Sequence, residues 1–383
     1  MSAPIIIFWL SLVGIIYPYF IYPLILRVLV AILGHKPVDY PYATPTLSLM
    51  IPAHNEEAII REKIESSLNL DYPPEKLEII VISDGSNDRT DEILSGFNDP
   101  RLKIIFQREQ MGKNRSLNRA MKSAGGEIIV FTDANAFFAP NALRELVCPF
   151  ANSKIGCVVG KHNYLNTKES LIGKLESCYW NYDNLLKTWE GKLYSLLGAN
   201  GPIFAIRHNL WDDVDDAVHE DFIIPIKIMK KGFYNVYRPE ARAQEEAVST
   251  VEQEFKRRTR IVWKGWVAVN QALIGFLHPF RGILIFEIIS RKVTKRLIWL
   301  FGGLLFLSNL ILINNNWYLY PFIAQIAFLI AGTIGRIQRN SPDKNKICYF
   351  AYSILVLIFA NMVGFYFFIR GRKPRGVWEI QRP

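Results

Sequence analysis

The sequence predicts an α/β domain with a mostly parallel sheet, set between apolar segments long enough to cross a membrane. Between residues 45 and 270, short runs rich in Ile, Val and Leu alternate with helical patterns. Such alternation is typical of a parallel sheet with helices on both faces. Residues 1–26 and 297–335 contain no charged side chain, as expected of membrane-spanning helices.

The composition agrees with a membrane protein that has a large water-facing part. Of 383 residues, 50% are hydrophobic and 21% are charged, with a net charge of +10. In a chain with apolar ends this excess indicates a cytoplasmic membrane surface. Nucleic-acid binding is not expected, because no basic stripe is interleaved with stacking aromatic residues. The four cysteines form no CxxC pair, which argues against a zinc site or a disulfide framework and indicates a reducing compartment.

Residues 1–33 are predicted to form an N-terminal transmembrane helix. Residues 5–26 are about long enough to cross a ~30 Å hydrocarbon core. A secretory signal peptide is the alternative, but it needs a basic start and a small-residue cleavage site. The first charges follow at Arg27, His35 and Lys36, which predicts an outside N-terminus and a cytoplasmic domain after the helix.

The C-terminal region, residues 297–369, is predicted to hold two or three spans. The asparagines at 314–316, next to Trp317, divide the first uncharged stretch into two helices joined by an outside turn. If residues 347–369 span, the basic tail at 370–383 lies outside; if they are re-entrant, it stays inside, and the sequence leaves both open. Residues 271–296 are predicted to be an amphipathic interface segment, with an amphipathic core helix as the alternative.

The α/β domain, residues 45–270, is predicted from short apolar runs bounded by turn residues. Strands are expected at 46–51, 77–83, 102–106, 127–132 and 203–206, and helices at 56–68, 88–94 and 113–123. Asn55, Glu56 and Glu57 are expected to cap the first helix, and Asn87 and Asp88 the second. Neither GxGxxG nor GxxxxGK[ST] follows a strand, which disfavours a dinucleotide-dependent oxidoreductase and a P-loop enzyme.

Acidic motifs follow the predicted strands. They are Pro-Ala-His-Asn-Glu-Glu at 52–57, Ser-Asp-Gly-Ser at 83–86, Thr-Asp-Ala-Asn at 132–135 and, further along, His-Glu-Asp at 219–221. In open α/β sheets, ligands bind at the edge where strands give way to loops. A row of carboxylates there suits a cationic ligand, or a metal that carries a phosphorylated one.

With Gly112-Lys113 and the arginine-rich segment 257–260, these motifs resemble those of the family 2 glycosyltransferases over roughly residues 45–275. The membrane arrangement resembles the branch of cellulose, chitin, hyaluronan and poly-N-acetylglucosamine synthases. The resemblance implies a GT-A fold in the cell membrane with a cytoplasmic catalytic domain. It also implies transfer of a sugar, with inversion, from a nucleotide donor, usually UDP-linked, to an acceptor hydroxyl.

The resemblance assigns roles to residues of this chain. Donor binding falls to Pro52, Ala53, Glu56, Asp84, Lys113, Asp133, Ala134, Arg257 and Arg260. Acceptor binding falls to Gly198, Asn200, Gly201 and Glu220. Glu56 would bind ribose hydroxyls, Asp84 a uracil edge, and Asp221 would act as general base, with Glu220 as the adjacent alternative.

The same resemblance implies a metal site. Asp133 and Asn135 correspond to the family's DxD motif, and hard oxygen ligands suit Mg²⁺ or Mn²⁺. Asn135 departs from the family by replacing the second Asp, so it supplies a carbonyl oxygen without charge. The QxxRW motif also departs: Arg260 retains its arginine, while the Gln and Trp are missing.

Two other functions compete. A transferase that adds one sugar to a lipid acceptor would have the same fold, and product size distinguishes it from a polysaccharide synthase. A membrane-anchored nucleotide-binding scaffold subunit would bind a donor without releasing UDP.

Overall fold

The computed structural model describes residues 2–34, 40–165, 171–246, 251–277, 281–339, 341 and 345–372. The chain divides into two compact units. Residues 29–247 belong to an α/β unit, and residues 1–28 and 248–379 belong to a helical unit. From residue 373 onward, the predicted basic tail lies outside the described residues.

Eight strands form one sheet in the described part of the α/β unit. They are β1 (Leu47–Ala53), β2 (Leu77–Asp84), β3 (Leu102–Gln107), β4 (Ile128–Phe131), β5 (Ala136–Phe138), β6 (Ile155–Leu165), β7 (Phe204–Arg207) and β8 (Tyr234–Glu246). Their order is β3-β2-β1-β4-β7-β6-β8-β5. The predicted α/β class and all five predicted strands are confirmed.

The sheet is mixed, with four parallel pairings out of seven among the described strands, in agreement with the prediction of a mostly parallel sheet. Neighbours among β1, β2, β3 and β4 pair in parallel, as do β6 and β8, whereas β4–β7, β7–β6 and β8–β5 are antiparallel. Only residues 132–135 separate β4 from β5, too few for the crossover that parallel neighbours need. Strand β5 therefore leaves β4 and pairs with β8.

The central strands are buried because helices cover both faces of the sheet. Leu49, Ile51, Ile79 and Val81 are fully buried in one hydrophobic core. The even-numbered residues between them, such as Met50, point to the opposite face of the sheet and are equally buried. Burial on both faces explains the continuous apolar runs that identified these strands.

The carboxyl ends of the parallel strands meet at one edge. In register, Met50 pairs with Phe131, Ala53 with Ser83, and Asp84 with Gln107. The loops that carry the first three acidic motifs therefore leave the sheet side by side, as expected for a ligand-binding edge.

Helices of the α/β unit connect these strands. They are α3 (Ile60–Leu68), α4 (Thr90–Ser95), α5 (Lys113–Met121), α6 (Ala142–Val147), α7 (Leu171–Leu193) and α8 (Glu220–Lys230).

The predicted start of the first of these helices, at residue 56, is wrong. Asn55 has a positive φ of 55°, and α3 begins only at Ile60. The Glu57 N–H donates to Asp88 (3.1 Å), and the Glu57 carboxylate accepts from the Arg89 N–H (3.0 Å). These polar residues tie two loops together instead of capping α3.

The helical unit contains the segments expected to enter a membrane. Helix α1 (Ala3–Ile16) continues through a π-helical turn at Tyr17–Ile21 into α2 (Tyr22–Leu33), whose last residues belong to the α/β unit. The later helices are α9 (Val251–Leu277), α10 (Gly282–Glu287), α11 (Thr294–Arg296), α12 (Ile298–Ile311), α13 (Asn316–Ile337) and α14 (Lys346–Ile369), with a π-helical segment at Ile288–Val293 between α10 and α11.

Three of these segments are long and apolar enough to cross a membrane: Ala3–Leu33, Asn316–Ile337 and Lys346–Ile369. A fourth candidate is the pair Gly282–Arg296 and Ile298–Ile311, which is bent by 59°. Among the described residues, α14 is one unbroken helix of 24 residues, or about 36 Å at 1.5 Å per residue, and this length favours crossing over the re-entrant alternative.

Helix α1 runs antiparallel to α12. The Phe8 ring lies 4.9 Å from that of Tyr318, just after α12, and a Cβ on Gly14 would lie 2.8 Å from the Phe301 ring near its start. The start of α1 therefore lies at the same end of the unit as the asparagine-rich turn, and that both face outside stays a prediction.

The boundary of the α/β unit differs from the prediction. It ends at Ala247, not near residue 270, because α9 packs on α14 through pairs such as Trp266 with Phe365. The predicted interface segment 271–296 comprises the end of α9 and the helix Gly282–Arg296, with residues 278–280 outside the described part.

Candidate active site

The first acidic motif forms a loop that is tied to the second. The Glu56 N–H donates to Thr90 Oγ1 (2.8 Å), and His54 Nδ1 lies 2.8 Å from the carbonyl oxygen of Asp84. Ala53 is buried, whereas Pro52 lines a cleft at the sheet edge. The donor-binding roles of Pro52, Ala53 and Glu56 stay predictions.

Asp84 fixes the loop between β3 and α5. Its two carboxylate oxygens accept from the backbone N–H groups of Met111 and Gly112, each at 2.8 Å. Gly112 has a φ of 98°, which only glycine adopts readily. The predicted contact of Asp84 with a uracil edge remains a prediction; in this structure the carboxylate anchors the loop that presents Lys113.

Lys113 joins the third and fourth acidic motifs. Its ammonium donates to Asp133 Oδ1 at 2.6 Å and lies 2.5 Å from Glu220 Oε1. Burial opposes the charged form of Lys113, but the two carboxylates outweigh burial and raise its pKa above the ordinary range. The lysine is therefore a permanent cation at this edge.

Glu220 and Asp221, adjacent in the first turn of α8, have different surroundings. Glu220 is buried, and burial alone would raise its pKa, yet the Lys113 ammonium outweighs burial and lowers the pKa to about 2. Asp221 Oδ2 instead lies 3.6 Å from the position of a Cβ on Gly201, and Asp133 Oδ2 lies 3.7 Å from the same position. The carboxylates of Asp133 and Asp221 thus both approach the same point beside Gly201.

The predicted acceptor residues divide into two groups. Gly201 lines the cleft, and the Ala199 N–H, next to Gly198, donates to the Asp221 carbonyl oxygen at 2.6 Å. Asn200 is buried; its amide donates to the Gly160 carbonyl oxygen at 2.7 Å and accepts from Lys187. Asn200 therefore stabilises the turn from inside, and its predicted contact with an acceptor stays a prediction.

The narrow cleft at the sheet edge contains the residues that connect the motifs. It is lined by Pro52, Lys113, Leu117, Phe131, Thr132, Gly201, Phe204 and Glu220. Residues of β1, β4 and β7 and of α5 and α8 therefore line one cleft, as the order of the motifs along the sequence predicts.

A divalent cation fits the donor set at Asp133. Oδ1 is bound to Lys113, while Oδ2 faces Gly201, and Asn135 lies two residues further on. Within the described residues, no cluster of three His, Cys, Asp or Glu side chains stands ready to hold a metal. Two oxygen ligands are the usual protein share of a Mg²⁺ or Mn²⁺ site that a bound diphosphate and water complete.

Arg257 and Arg260 lie on α9, in the helical unit. Their predicted role in donor binding stays a prediction.

Sequence reasoning missed a buried lysine behind the Asp133 loop. Lys63 of α3 is 1% exposed, and its ammonium donates to Thr132 Oγ1 (2.9 Å) and to the Ala136 carbonyl oxygen. Burial lowers its pKa to about 7, against the opposing charge of Asp133. The signal was present: Lys63 occupies the apolar stripe of α3 beside Ile60 and Ile64.

The pH dependence of stability tests the burial of Lys63. Its pKa is lower in the folded than in the unfolded chain, so the cost of burying it is full below pH 7 and vanishes as pH rises toward 10. Relative to Lys63→Met, the wild type is expected to gain roughly 1–3 kcal/mol between pH 7 and 9. Thermal unfolding in detergent measures this, with the exposed Lys122→Met as control; a gain no larger than that of the control would contradict the prediction.

Sequence comparison gives the family of the α/β unit. Residues 48–214 match the family described as Glycosyl transferase family 2. The chain carries a family 2 glycosyltransferase domain, and the protein is a glycosyltransferase. The predicted resemblance is thereby confirmed, and the acidic motifs at 52–57, 83–86 and 132–135 all lie within the matched residues.

Two relatives of this glycosyltransferase have names that state different products, and a third is named only as a probable glycosyltransferase. The protein is 29% identical over 361 residues (83% of each chain) to a probable glycosyltransferase, YdaM, of Bacillus subtilis. It is 26% identical to a poly-beta-1,6-N-acetyl-D-glucosamine synthase of Staphylococcus epidermidis (70% of this chain, 66% of the relative). It is 27% identical to a beta-monoglucosyldiacylglycerol synthase of Trichormus variabilis (59% and 50%).

A solved structure shares the fold of the glycosyltransferase along most of its length. The mannosyltransferase PcManGT of Pyrobaculum calidifontis, determined in complex with GDP-Man and Mn²⁺, aligns with a TM-score of 0.67 at 18% identity. The alignment covers 95% of this chain and 98% of that one. The predicted GT-A fold is confirmed.

Proposed function

We propose that this glycosyltransferase moves a sugar from a nucleoside-diphosphate donor, UDP-linked, to a hydroxyl of a growing glycan at the membrane. The observation that carries the proposal is that carboxylate oxygens of Asp133 and Asp221 both lie within 4 Å of the Cβ position of Gly201. Asp133 has the surroundings of a cation ligand. Asp221 lies in the first turn of α8, beside the cleft. In this proposal Asp133 acts on the side of the donor diphosphate, and Asp221 acts on the acceptor hydroxyl.

The reaction is a single displacement. The acceptor oxygen attacks the anomeric carbon, the bond from that carbon to the diphosphate oxygen breaks, and the configuration inverts. Asp221 accepts the hydroxyl proton as the new bond forms. Asp133 and Asn135 would hold a divalent cation, which would supply positive charge for the departing diphosphate, and the presence of Mn²⁺ in the PcManGT complex supports this assignment.

Lys113 contributes a second positive charge to the diphosphate side. Its ammonium is already held by Asp133 and Glu220, so it loses little side-chain entropy when a nucleotide binds. A preorganised cation in a partly dehydrated cleft stabilises developing negative charge more than a solvated one.

A lipid acceptor is the second candidate. The similarity to a beta-monoglucosyldiacylglycerol synthase favours it, while the similarity to the poly-beta-1,6-N-acetyl-D-glucosamine synthase, which covers more of this chain, favours a glycan.

The test is to incubate the purified protein with UDP-linked sugars and GDP-mannose, with Mg²⁺ or Mn²⁺, and to measure the nucleotide released. Release of UDP from one donor supports the proposal, and a radiolabelled donor then gives the product size: a polymer or one glycolipid. Binding without release from any donor would favour the nucleotide-binding scaffold instead.

We also propose that the glycosyltransferase domain faces the cytoplasm, where nucleotide sugars are made. A membrane-impermeant thiol reagent added to intact cells is expected to label Asn315→Cys, in the turn between α12 and α13, but not Lys122→Cys, which is exposed on the α/β unit. The unsubstituted protein measures labelling of the native cysteines. Labelling of Lys122→Cys in intact cells above that level would reverse the orientation.

A further inference from the structure

Asn135, at the predicted metal site, is held by a glutamate from a distant part of the sequence. Its amide Nδ2 donates to Glu245 Oε1 at 2.5 Å. The antiparallel pairing of β5 with β8 sets Ala136 opposite Glu245, so the carboxylate is delivered to the residue that precedes β5. The contact is therefore built into the sheet register.

Glu245 also lies against a histidine of the next strand. Its Oε2 lies 3.1 Å from Nε2 of His162 on β6. His162 is 1% exposed, and its ring stands at 90° to that of Trp180 with centroids 5.0 Å apart. Glu245 is largely buried as well, with 12% of its side chain exposed. A packed histidine on one side and Asn135 on the other leave the carboxylate little freedom to rotate.

The orientation of an asparagine matters more than that of an aspartate at a cation site. Aspartate presents two equivalent oxygens, whereas asparagine presents one oxygen and one NH₂ group, and only the oxygen binds a hard cation. A carboxylate beside the amide favours the rotamer in which NH₂ faces it, through a charge-assisted hydrogen bond, and disfavours the reversed one. The reversed rotamer would set two acceptors against each other.

We propose that Glu245, fixed by His162, is a positioning residue that turns the amide of Asn135 so that its carbonyl oxygen faces the cation bound at Asp133. The inference rests on the proposed function, because it needs a divalent cation at Asp133. It also gives a reason for the departure from the DxD motif: with Glu245 this close, an aspartate at 135 would face a second carboxylate. In this arrangement Glu245 carries the negative charge, and the proposed metal ligand Asn135 is neutral.

Ligands of metals in proteins are commonly oriented by such outer partners, whose removal costs about 10- to 100-fold in metal affinity. Glu245→Gln keeps the shape of the side chain and removes its charge. It is expected to weaken Mn²⁺ binding by about 10- to 100-fold. No comparable loss is expected when residue 135 cannot be a ligand. In an Asn135→Ala background, the same substitution is expected to change Mn²⁺ affinity less than two- to three-fold.

The experiment is a double-mutant cycle on the full-length protein in detergent. Mn²⁺ affinity is measured from the electron paramagnetic resonance signal of free Mn²⁺, and thermal unfolding without metal is recorded for each variant. Glu240→Gln, on the same strand and half exposed, is the matched control. Non-additivity of the two substitutions is the signature that Glu245 acts through Asn135.

Three outcomes overturn the proposal in distinguishable ways. A full loss on Glu245→Gln in the Asn135→Ala background would mean that Glu245 binds the cation or acts by charge alone. Unchanged affinity on Glu245→Gln would mean that Asn135 needs no positioning. A wild type that binds no Mn²⁺ and turns over without divalent metal would remove the proposed metal site itself.

If Glu245→Gln does not fold, the exchanged variant Asn135→Asp/Glu245→Gln decides the matter. It keeps one carboxylate and one amide in contact, with the roles of donor and acceptor reversed. It is expected to fold and to bind Mn²⁺ within about tenfold of the wild type, and a folded exchanged variant without Mn²⁺ affinity would overturn the proposal.

Discussion

Asp221→Asn is expected to lower turnover by about 10²- to 10⁴-fold while nucleotide affinity stays within a few-fold of wild type. The acceptor hydroxyl has a pKa far above neutrality, so its attack requires proton removal as the new bond forms. Asn keeps the shape of the side chain in the first turn of α8 and removes its basicity. The loss corresponds to about 3–5 kcal/mol of barrier. Nucleotide release measures turnover, and calorimetry measures affinity.

Glu220→Gln is the variant with which the loss of turnover in Asp221→Asn is compared. Glu220 is buried against Lys113, so the substitution leaves a buried ammonium with Asp133 as its remaining carboxylate in the motif. Removing one member of a buried pair is strongly destabilising, so a lower thermal midpoint and weaker donor affinity are expected, with turnover less affected than in Asp221→Asn. An active Asp221→Asn beside an inactive but folded Glu220→Gln would move the base to Glu220.

Asp133→Ala is expected to abolish measurable turnover, a loss of at least about 10³-fold. A bound metal supplies several kcal/mol of charge stabilisation to a departing diphosphate, and Asp133 is the charged member of its proposed ligand pair. The same substitution also takes one of two carboxylates from Lys113. Both the cation and the lysine would then be misplaced for the leaving group. Nucleotide release with Mn²⁺, and Mn²⁺ affinity, are the measurements.

The control for Asp133→Ala is Asp212→Asn, which removes a carboxylate of the same domain that pairs with Lys231 at 2.8 Å. It is expected to leave turnover unchanged. Chelation by EDTA should inactivate the wild type and have no further effect on Asp133→Ala. If Asp133→Ala turned over at a near-normal rate in the presence of EDTA, the metal assignment would be wrong.

The sequence was sufficient where a local pattern decides the structure. Apolar runs followed by polar loops predicted β1 to β4 and placed Asp84 and Asp133 at one edge, because parallel strands end together. The loop function of Asp84 was not predictable, since both its oxygens are bound by backbone groups of residues 111 and 112. Which partner a carboxylate binds depends on a loop that has no local signature.

Contacts across long sequence separations could not be read from motifs. Glu245 reaches Asn135 because β8 lies beside β5, and β5 leaves β4 only because the segment between them is short. Lys63 is one of several charged residues in the sequence of α3, and only the folded sheet brings Thr132 to its ammonium. For Lys63 a polar residue inside an apolar pattern was the available signal, whereas Glu245 lies in the polar stretch 244–246 and had none.

The division of the chain between its two units sets an order of events during synthesis. Helix α1 packs on α12, which the ribosome reaches only about 280 residues later, or roughly 14–56 s at 5–20 residues per second. Residues 29–247, by contrast, are continuous and complete well before α12 is made. The glycosyltransferase domain can therefore fold before α12, the packing partner of α1, has been synthesised. Substitutions at the α1–α12 contact, such as Gly14→Leu, should consequently affect membrane assembly late, after the catalytic domain has formed.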